Sequence, residues 1–473
     1  MRFQASSQKG SPHHGDGRLT RATAKDKTFG ASFAERERRA KRSHDRTIKI
    51  AISIAIVAFL VLSAALSSPQ ARDSTARAMF VTTVVVDSVG DVGQYSSIDI
   101  DLHDSIHISY RDTTNSNLKY ATNESGAWLT YTIDHVGNLG GYTSIAVGND
   151  TTSYYDAGNS TWYNATWPRA PVFISYYDIS NSNLKVADNG TTMRWINDTK
   201  DAVGMVGLYT SMAADSLNKM HVSYCDQTHQ SLKYATNASG SWQNRTVDNA
   251  GSVGLWTSIA VDSNGKAHIS YYDNSNSHLK YATNAGGSWQ NYTVDASGTT
   301  GTYTSIAIDQ NNRAHISYYD IANGNLKYAN NTAGTWANTT LDSTGDVGQY
   351  SSIAVDSNGR SHISYFDDTN GNLKYATDAN GTWQTFTLDS TGVVGEYTSI
   401  AIDSGNNRYI SYYDSTNGNL KCMGISDPAS VPIPEFSAVL VPVVGVMAIA
   451  LVIRTGRRKV AGSEGVEKEG DAE

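Results

Sequence analysis

Cysteine, proline and charge are all scarce in this sequence: 473 residues hold 2 Cys and 8 Pro, and only 17% are Asp, Glu, Lys or Arg. Two cysteines exclude a disulfide-dense scaffold and a multi-cysteine zinc site, so stability has to come from packing. Low charge beside 39% hydrophobic residues excludes a disordered polyelectrolyte and a coiled coil, and so few prolines exclude collagen. A Gly-x-Ser-x-Gly elbow, a phosphate loop and a dinucleotide fingerprint are absent too. The chain is rich instead in glycine and aromatics, with 40 Gly, 28 Tyr and 9 Trp. Its length suits two or three ordinary domains, or one repeat array with a continuous core.

Basic residues are unevenly placed. Residues 1–49 hold 13 Lys/Arg against 5 Asp/Glu, and residues 454–473 hold five of each. Taking these from the totals of 37 and 45 leaves residues 50–453 with 19 basic and 35 acidic side chains, a net charge of −16. Such a body repels nucleic acid, which is excluded as a partner.

Two uncharged apolar runs flank that body. Ile50–Leu66 comes directly after a basic cluster (Arg36, Arg38, Arg39, Lys41, Arg42, Arg46, Lys49), which places residues 1–49 in the cytoplasm and the chain beyond the run outside the cell. Residues 50–68 read as a retained signal-anchor or as a signal peptide, for which Ala64, Ala65, Ser67 and Ser68 suit a peptidase. Phe436–Ile453, 18 residues trailed by Arg454, Arg457, Arg458 and Lys459, is long enough to cross a bilayer core of about 30 Å. The order Pro434-Glu435-Phe436, apolar run, basic cluster resembles the PEF-type C-terminal sorting signal of archaeal surface proteins, which implies processing by an archaeosortase. Here the chain runs on for 14 residues past Lys459. The expected layout is a basic head (1–49), a membrane segment (50–68), an exported domain (79–425), a linker (426–435), a second membrane or sorting segment (436–453) and a cytoplasmic tail (454–473), with the membrane as a partner.

Inside the exported domain the hexapeptide His-Ile-Ser-Tyr-Tyr-Asp and its variants end at Asp112, Asp178, Asp226, Asp273, Asp320, Asp367 and Asp414. The spacing is 47 or 48 residues except for one step of 66, where a 19-residue insertion falls between Gly148 and Val172. Each copy has four β-patterned runs, A (Ser-Ile-Ala-Val-Asp), B (the hexapeptide), C (Leu-Lys-Tyr-Ala) and D (Trp-Gln-x-x-Thr-Val-Asp), separated by Asn, Gly, Asp and Ser clusters. Four strands in 47 residues describe a propeller blade. The last copy lacks run D, whereas Val81–Asp87 supplies one ahead of the first run A, so the two chain ends are expected to complete one blade. The fold class expected is all-β: a seven-bladed β-propeller of four-stranded blades, closed by an N-terminal outer strand and flanked by two short hydrophobic helices.

The recurring residues read mainly as structural. Asp at the end of run B and Lys in run C, seven residues apart in every copy (Asp273 and Lys280, for example), suggest a cross-strand ion pair or an Asp that holds turn amides. His opens run B in five copies but gives way to Phe173 and Tyr409 in two, so it is read as a packing group that hydrogen-bonds Ser or backbone, not as a metal ligand. Asp-Ser-Asn-Gly at 262–265 and 356–359 reads as a tight turn, because it lacks a full set of spaced oxygen ligands for Ca²⁺. No metal, cofactor or catalytic residue is expected.

The C–D turn Asp378-Ala-Asn-Gly381-Thr382-Trp383, with counterparts at Asn237–Trp242 and Asn284–Trp289, resembles the Asp-box of sialidase-like propellers. The resemblance implies a turn between the third and fourth strands. Sialidase chemistry would also require three arginines around the substrate carboxylate, and Arg111, Arg169, Arg194, Arg245, Arg313, Arg360 and Arg408 carry no accompanying Arg-Ile-Pro motif.

Two sets of aromatics are candidate ligand contacts. One opens run A: Tyr95, Tyr142, Tyr209, Trp256, Tyr303, Tyr350 and Tyr397, suited to stacking on sugars or to packing between blades. The other lies in the insertion, where Trp162, Tyr163, Trp167 and Arg169 make a candidate binding lid, and the insertion rather than the repeated aromatics is expected to carry the ligand contact. Twelve N-glycosylation sequons, at Asn123, Asn149, Asn159, Asn164, Asn189, Asn197, Asn237, Asn244, Asn291, Asn330, Asn338 and Asn380, gather on the C–D turns, run D and the insertion, so glycans would coat the rim. The function expected is a surface recognition or adhesion module for a glycan or another surface protein. The alternatives are a polysaccharide hydrolase or lyase, and a structural surface-layer component.

Overall fold

The computed structural model describes residues 79–149, 151–156, 161–189 and 194–427, with the backbone alone for 151–156 and 161–169. The basic head, both apolar segments with their expected helices, the tail and Asn159 lie outside these residues. Among the described residues no helix is long and apolar enough to cross a membrane.

The polar/apolar punctuation of each repeat becomes four antiparallel strands, and the described strands form seven four-stranded sheets plus one two-stranded sheet. In the fourth copy the strands are Val253–Val261, Ala267–Asp273, His278–Thr283 and Gln290–Asp295, named A to D. Every A strand touches the A strands of both neighbouring blades, the first (Val92–Ile100) against the last (Val394–Ile402), so the A strands surround an axis. The outer strand of the last blade is Phe80–Asp87, antiparallel to Asn419–Ser426 with Phe80 opposite Ser426.

Burial tracks strand order. The B strand Ala267–Asp273 is buried along its whole length, whereas the Gln, Asn, Tyr and Thr that begin strand Gln290–Asp295 are exposed. The core lies between blades: Leu279, Tyr281 and Val294 of the fourth blade pack against Ile306, Ile316 and Tyr318 of the fifth. Each blade thus hides its B and C strands only by leaning on its neighbours.

A latch crosses every blade boundary. Tyr318 donates to Asp295, the last residue of the preceding D strand, at 2.8 Å, and Lys327 donates to the same oxygen at 2.6 Å. The same trio recurs as Tyr110/Lys119/Asp87, Tyr176/Lys185/Asp134, Tyr224/Lys233/Asp201, Tyr271/Lys280/Asp248, Tyr365/Lys374/Asp342 and Tyr412/Lys421/Asp389. Of the two roles expected for the B-strand Asp, holding turn amides is the closer one, and the short bond of the Lys goes to the D-strand Asp of the preceding blade. Asp320 lies 4.0 Å from Lys327 and instead accepts from the turn, at 3.3 Å from the Asn323 amide and 3.0 Å from its side chain. Burial alone would raise the Asp295 carboxyl, but the bonds from Lys327, Ser297 and Tyr318 outweigh it and hold it at about 2.

The His of strand B has a more specific partner than the Ser or backbone expected. His107, His221, His268, His315 and His362 sit 2.5–2.6 Å from the hydroxyls of Tyr120, Tyr234, Tyr281, Tyr328 and Tyr375 on strand C. In the two copies where Phe173 and Tyr409 replace His, the strand-C Tyr is replaced as well, by Val186 and Cys422. The pair changes together because a phenol buried opposite Phe would lose its hydrogen-bond partner. Burial lowers the imidazoles of His221, His268 and His315, against the raising effect of Asp215, Asp262 and Asp309.

The C–D turns hold strands and blades together. Met220 N donates to Asn237 Oδ1 at 2.7 Å, tying the turn to the start of strand B. The turn Trp packs against the strand-C Tyr of the preceding blade, as Trp289 does on Tyr234 and Trp336 on Tyr281, both with centroids 5.1 Å apart. The A–B turns are tight as expected, Asp262 Oδ1 accepting the amides of Asn264 and Lys266 at 2.9 and 2.8 Å.

Candidate binding site at the propeller axis

The D–A connection delivers an aromatic residue to the axis in each blade. In the fifth blade Gly301 (φ +108°) precedes Tyr303 by two residues, and a Cβ there would meet the Leu279 Cα of the preceding blade at 2.7 Å, so only glycine lets the strand pass. The aromatic two residues on is itself left-handed. Tyr95, Tyr142, Tyr209, Trp256, Tyr303, Tyr350 and Tyr397 all have φ between +48° and +56°, a region that costs a side-chain-bearing residue about 1–2 kcal/mol.

These seven residues form a closed hoop. Centroid separations around it are 4.9, 4.5, 5.1, 5.6, 4.7, 4.6 and 4.6 Å, starting from Tyr95–Tyr142 and ending at Tyr397–Tyr95. Neighbouring planes tilt by 41–54°, near the rotation of a sevenfold ring, and at this spacing each face is partly covered by the next ring. Packing between blades, one of the two expected roles, is therefore what the faces do. Burial, and then the neighbouring phenols Tyr209 and Tyr95, raise the Tyr142 hydroxyl, and burial with Tyr397 and Tyr303 raises that of Tyr350. These two phenols therefore stay protonated at neutral pH.

Beside the hoop lies a belt of hydroxyls. Ser97, Ser144, Ser211, Ser258, Ser305, Ser352 and Ser399 each accept an amide of the next blade's A strand at 3.0–3.3 Å, closing a second sevenfold circuit. Hoop, belt and the intervening Ser or Thr line an open pocket of about 240 Å³ whose 21 lining residues are only Tyr, Trp, Ser and Thr. The lining holds no carboxylate, imidazole or cation.

The sevenfold pattern is broken next to this pocket. Asp99 stands where the other six A strands carry Ala146, Ala213, Ala260, Ala307, Ala354 and Ala401. It accepts the Val147 amide of the next blade at 2.8 Å and that of Ile100 at 2.9 Å, and burial raises its carboxyl. Motif-level comparison of the repeats passes over this position; the signal is a single column in which one copy carries a charge.

The insertion is a β-hairpin, not the open loop its Ser, Asn and Tyr content suggests. Thr151–Asp156 pairs with Thr161–Arg169, Tyr155 opposite Trp162. Val147 and Val172 pair at its base, so the hairpin leaves from the A–B edge, away from the hoop. The two aromatic sets therefore belong to opposite edges of the blades and do not make one site.

The sequons divide by what their side chains do. Asn197, Asn244, Asn291 and Asn338 on the D strands donate Nδ2 to carbonyls of the preceding blade (Ile133, Lys200, Val247, Val294) at 2.8–3.3 Å, and Asn149 Nδ2 donates to Ser216 at 2.8 Å. Asn123, Asn189 and Asn237 accept strand-B amides through Oδ1 at 2.7–2.8 Å. Asn330 Oδ1 accepts from Thr332, and exposed Asn380 Nδ2 donates to Gln384 at 3.2 Å. The backbone of Asn164 is on the hairpin.

The geometry defines the class: an all-β seven-bladed propeller with four-stranded blades and a pocket on its axis. No protein-family model and no curated protein matches the sequence. Among solved structures, the chain is similar to the Aleuria aurantia lectin in complex with α-methyl-L-fucoside (12% identity, TM-score 0.39, covering 66% of this chain and 96% of that one). It is also similar to an α-L-arabinofuranosidase from Fusarium graminearum (11%, 0.39, 72% and 94%) and to a Hadza microbial sialidase (10%, 0.40, 72% and 68%).

Proposed function

We propose that this chain is a membrane-held, extracellular recognition module that binds a neutral sugar residue of a cell-surface glycan at the axial pocket. One observation carries the reading. Seven positions hold a Tyr or Trp in a left-handed backbone conformation that glycine adopts without strain, and strain of this kind gathers where a site requires it. The lining offers hydroxyls and aromatic edges without a charge, which suits a polyol; an ion placed there would be desolvated without a partner. At about 240 Å³ the pocket is smaller than the usual drug-sized site of roughly 300 Å³ or more, and it suits one sugar ring. Binding is favoured over a hydrolase of the two-carboxyl kind because such an enzyme flanks the scissile bond with a pair of carboxyls, and the pocket lining has none.

The test is a glycan array probed with detergent-solubilised full chain, then affinity measurement on the glycan found. Trp256→Ala should weaken binding by at least about 2 kcal/mol, the scale of a hot spot, whereas replacing Trp162 and Trp167 together should leave it unchanged. The reverse result moves the site to the hairpin, and turnover of the bound glycan establishes the hydrolase or lyase reading instead.

A further inference from the structure

Both ends of the described chain leave the propeller at one edge. In the last blade a row of paired residues crosses the sheet from Ile402 to Arg408, Ile425 and Val81, beside the A–B turn. The opposite edge runs through Val394, Asp414 and Asn419, where the D–A and B–C turns and the aromatic hoop lie. Entry and exit are adjacent, Phe80 opposite Ser426.

The exit is also held. Arg408, 3% exposed, forks onto Asp427 at 3.0 and 3.1 Å. The other six B strands begin with Ile106, Val172, Met220, Ala267, Ala314 and Ser361, so this arginine belongs to the blade that releases the chain. A bidentate Arg–carboxylate pair on the last described residue fixes the departing backbone on the A–B side.

In sequence, 11 residues separate Ser68 from Phe80 and 9 separate Ser426 from Phe436. Fully extended, these linkers reach at most about 40 and 32 Å. We propose that the face built by the A–B and C–D turns is apposed to the lipid bilayer, so that the hoop opens away from it. The proposal rests on the membrane-held part of the function proposed above. The insertion hairpin leaves from the same edge as the chain ends. Strands of six to nine residues at about 3.4 Å each separate the two faces by roughly 25 Å, so a ligand approaching from outside reaches the hoop without passing the membrane.

Energy transfer to lipid tests this on the full chain reconstituted into phosphatidylcholine vesicles carrying a trace of headgroup-labelled acceptor lipid. Donor dye goes on Leu217→Cys (A–B turn) or on Val136→Cys (D–A turn, 72% exposed), with Leu102→Cys and Val203→Cys (70% exposed) as a second pair on other blades. The native thiols of Cys225 and Cys422 are buried, and unsubstituted protein sets the background. Greater transfer from both A–B sites is the expected result; equal transfer, or greater transfer from the D–A sites, overturns the proposal. Failure of the chain to float with the vesicles overturns it too and identifies the membrane reading as the part that failed, while glycan binding is scored separately on the same protein.

Discussion

Tyr318 and Asp295 belong to different blades, yet the phenol of one donates to the carboxylate of the other at 2.8 Å, both side chains buried. Lys327 joins the same oxygen, so one carboxylate fastens two strands of the next blade. Seven such latches, with no free blade at either end, make the ring depend on each of them.

Removing the shared acceptor should therefore cost far more than removing the other repeated aspartate. Asp295→Ala leaves the buried Lys327 ammonium with Ser297 at 3.0 Å and Asp320 at 4.0 Å as its remaining partners, and is expected to lower unfolding free energy by about 3 kcal/mol. Asp320→Ala loses turn capping and is expected to cost about 1 kcal/mol. Urea unfolding of the two variants decides; equal losses would mean that the B-strand aspartate also carries the lysine.

Acid should unfold the propeller steeply. The latch carboxyls Asp87, Asp134, Asp201, Asp248, Asp295, Asp342 and Asp389 have folded pKa values below the unfolded one, where burial opposes the shift and the Lys and Tyr bonds overcome it. The stability they supply is complete above the unfolded value near 3.9 and is lost as pH falls through the folded values, about 2 for Asp295. Asp99 has the opposite sign: its raised carboxyl contributes stability that is lost as pH rises. Asp99→Asn should then be near neutral at about pH 3 and stabilising at about pH 7, as read by denaturant midpoints.

Deleting residues 79–88 should destabilise the whole ring, because it bares the edge of strand Asn419–Ser426 and removes the Asp87 latch together. A melting temperature equal to that of the intact chain would contradict this.

The hoop invites an inversion of the usual glycine penalty. Tyr350→Ala keeps the left-handed backbone with a Cβ, whereas Tyr350→Gly loses the same ring contacts without the strain. The glycine variant should be more stable than the alanine variant by about 1 kcal/mol, as thermal unfolding would show.

Cys225 and Cys422 are both free and buried, in the third and seventh blades, and burial raises both thiols to about 12. Thiol labelling without reductant should return no reactive group in the folded protein and two after denaturation. No free thiol after denaturation would contradict the blade assignment.

Much of the architecture was legible in the sequence because a blade is written locally: four runs, their turn clusters and the 47-residue step need no knowledge of what lies alongside. The hoop positions were legible for the same reason, as an aromatic at one point of every copy. Even the His–Tyr pairing left a trace, since Phe173 with Val186 and Tyr409 with Cys422 change in the same two copies. What the sequence could not decide was which repeat supplies a partner. Asp295 and Asp320 are equally regular along the chain, and only the lean of one blade on the next brings Lys327 to 2.6 Å from one and leaves it 4.0 Å from the other. Likewise, run A shows a tyrosine at position 303 but neither its left-handed φ nor the close approach of Gly301 to the Leu279 backbone of the neighbouring blade. Local pattern specified the strands; contact between blades, distant in sequence and set by closure of the ring, specified the latches, the strained hoop and the pocket inside it.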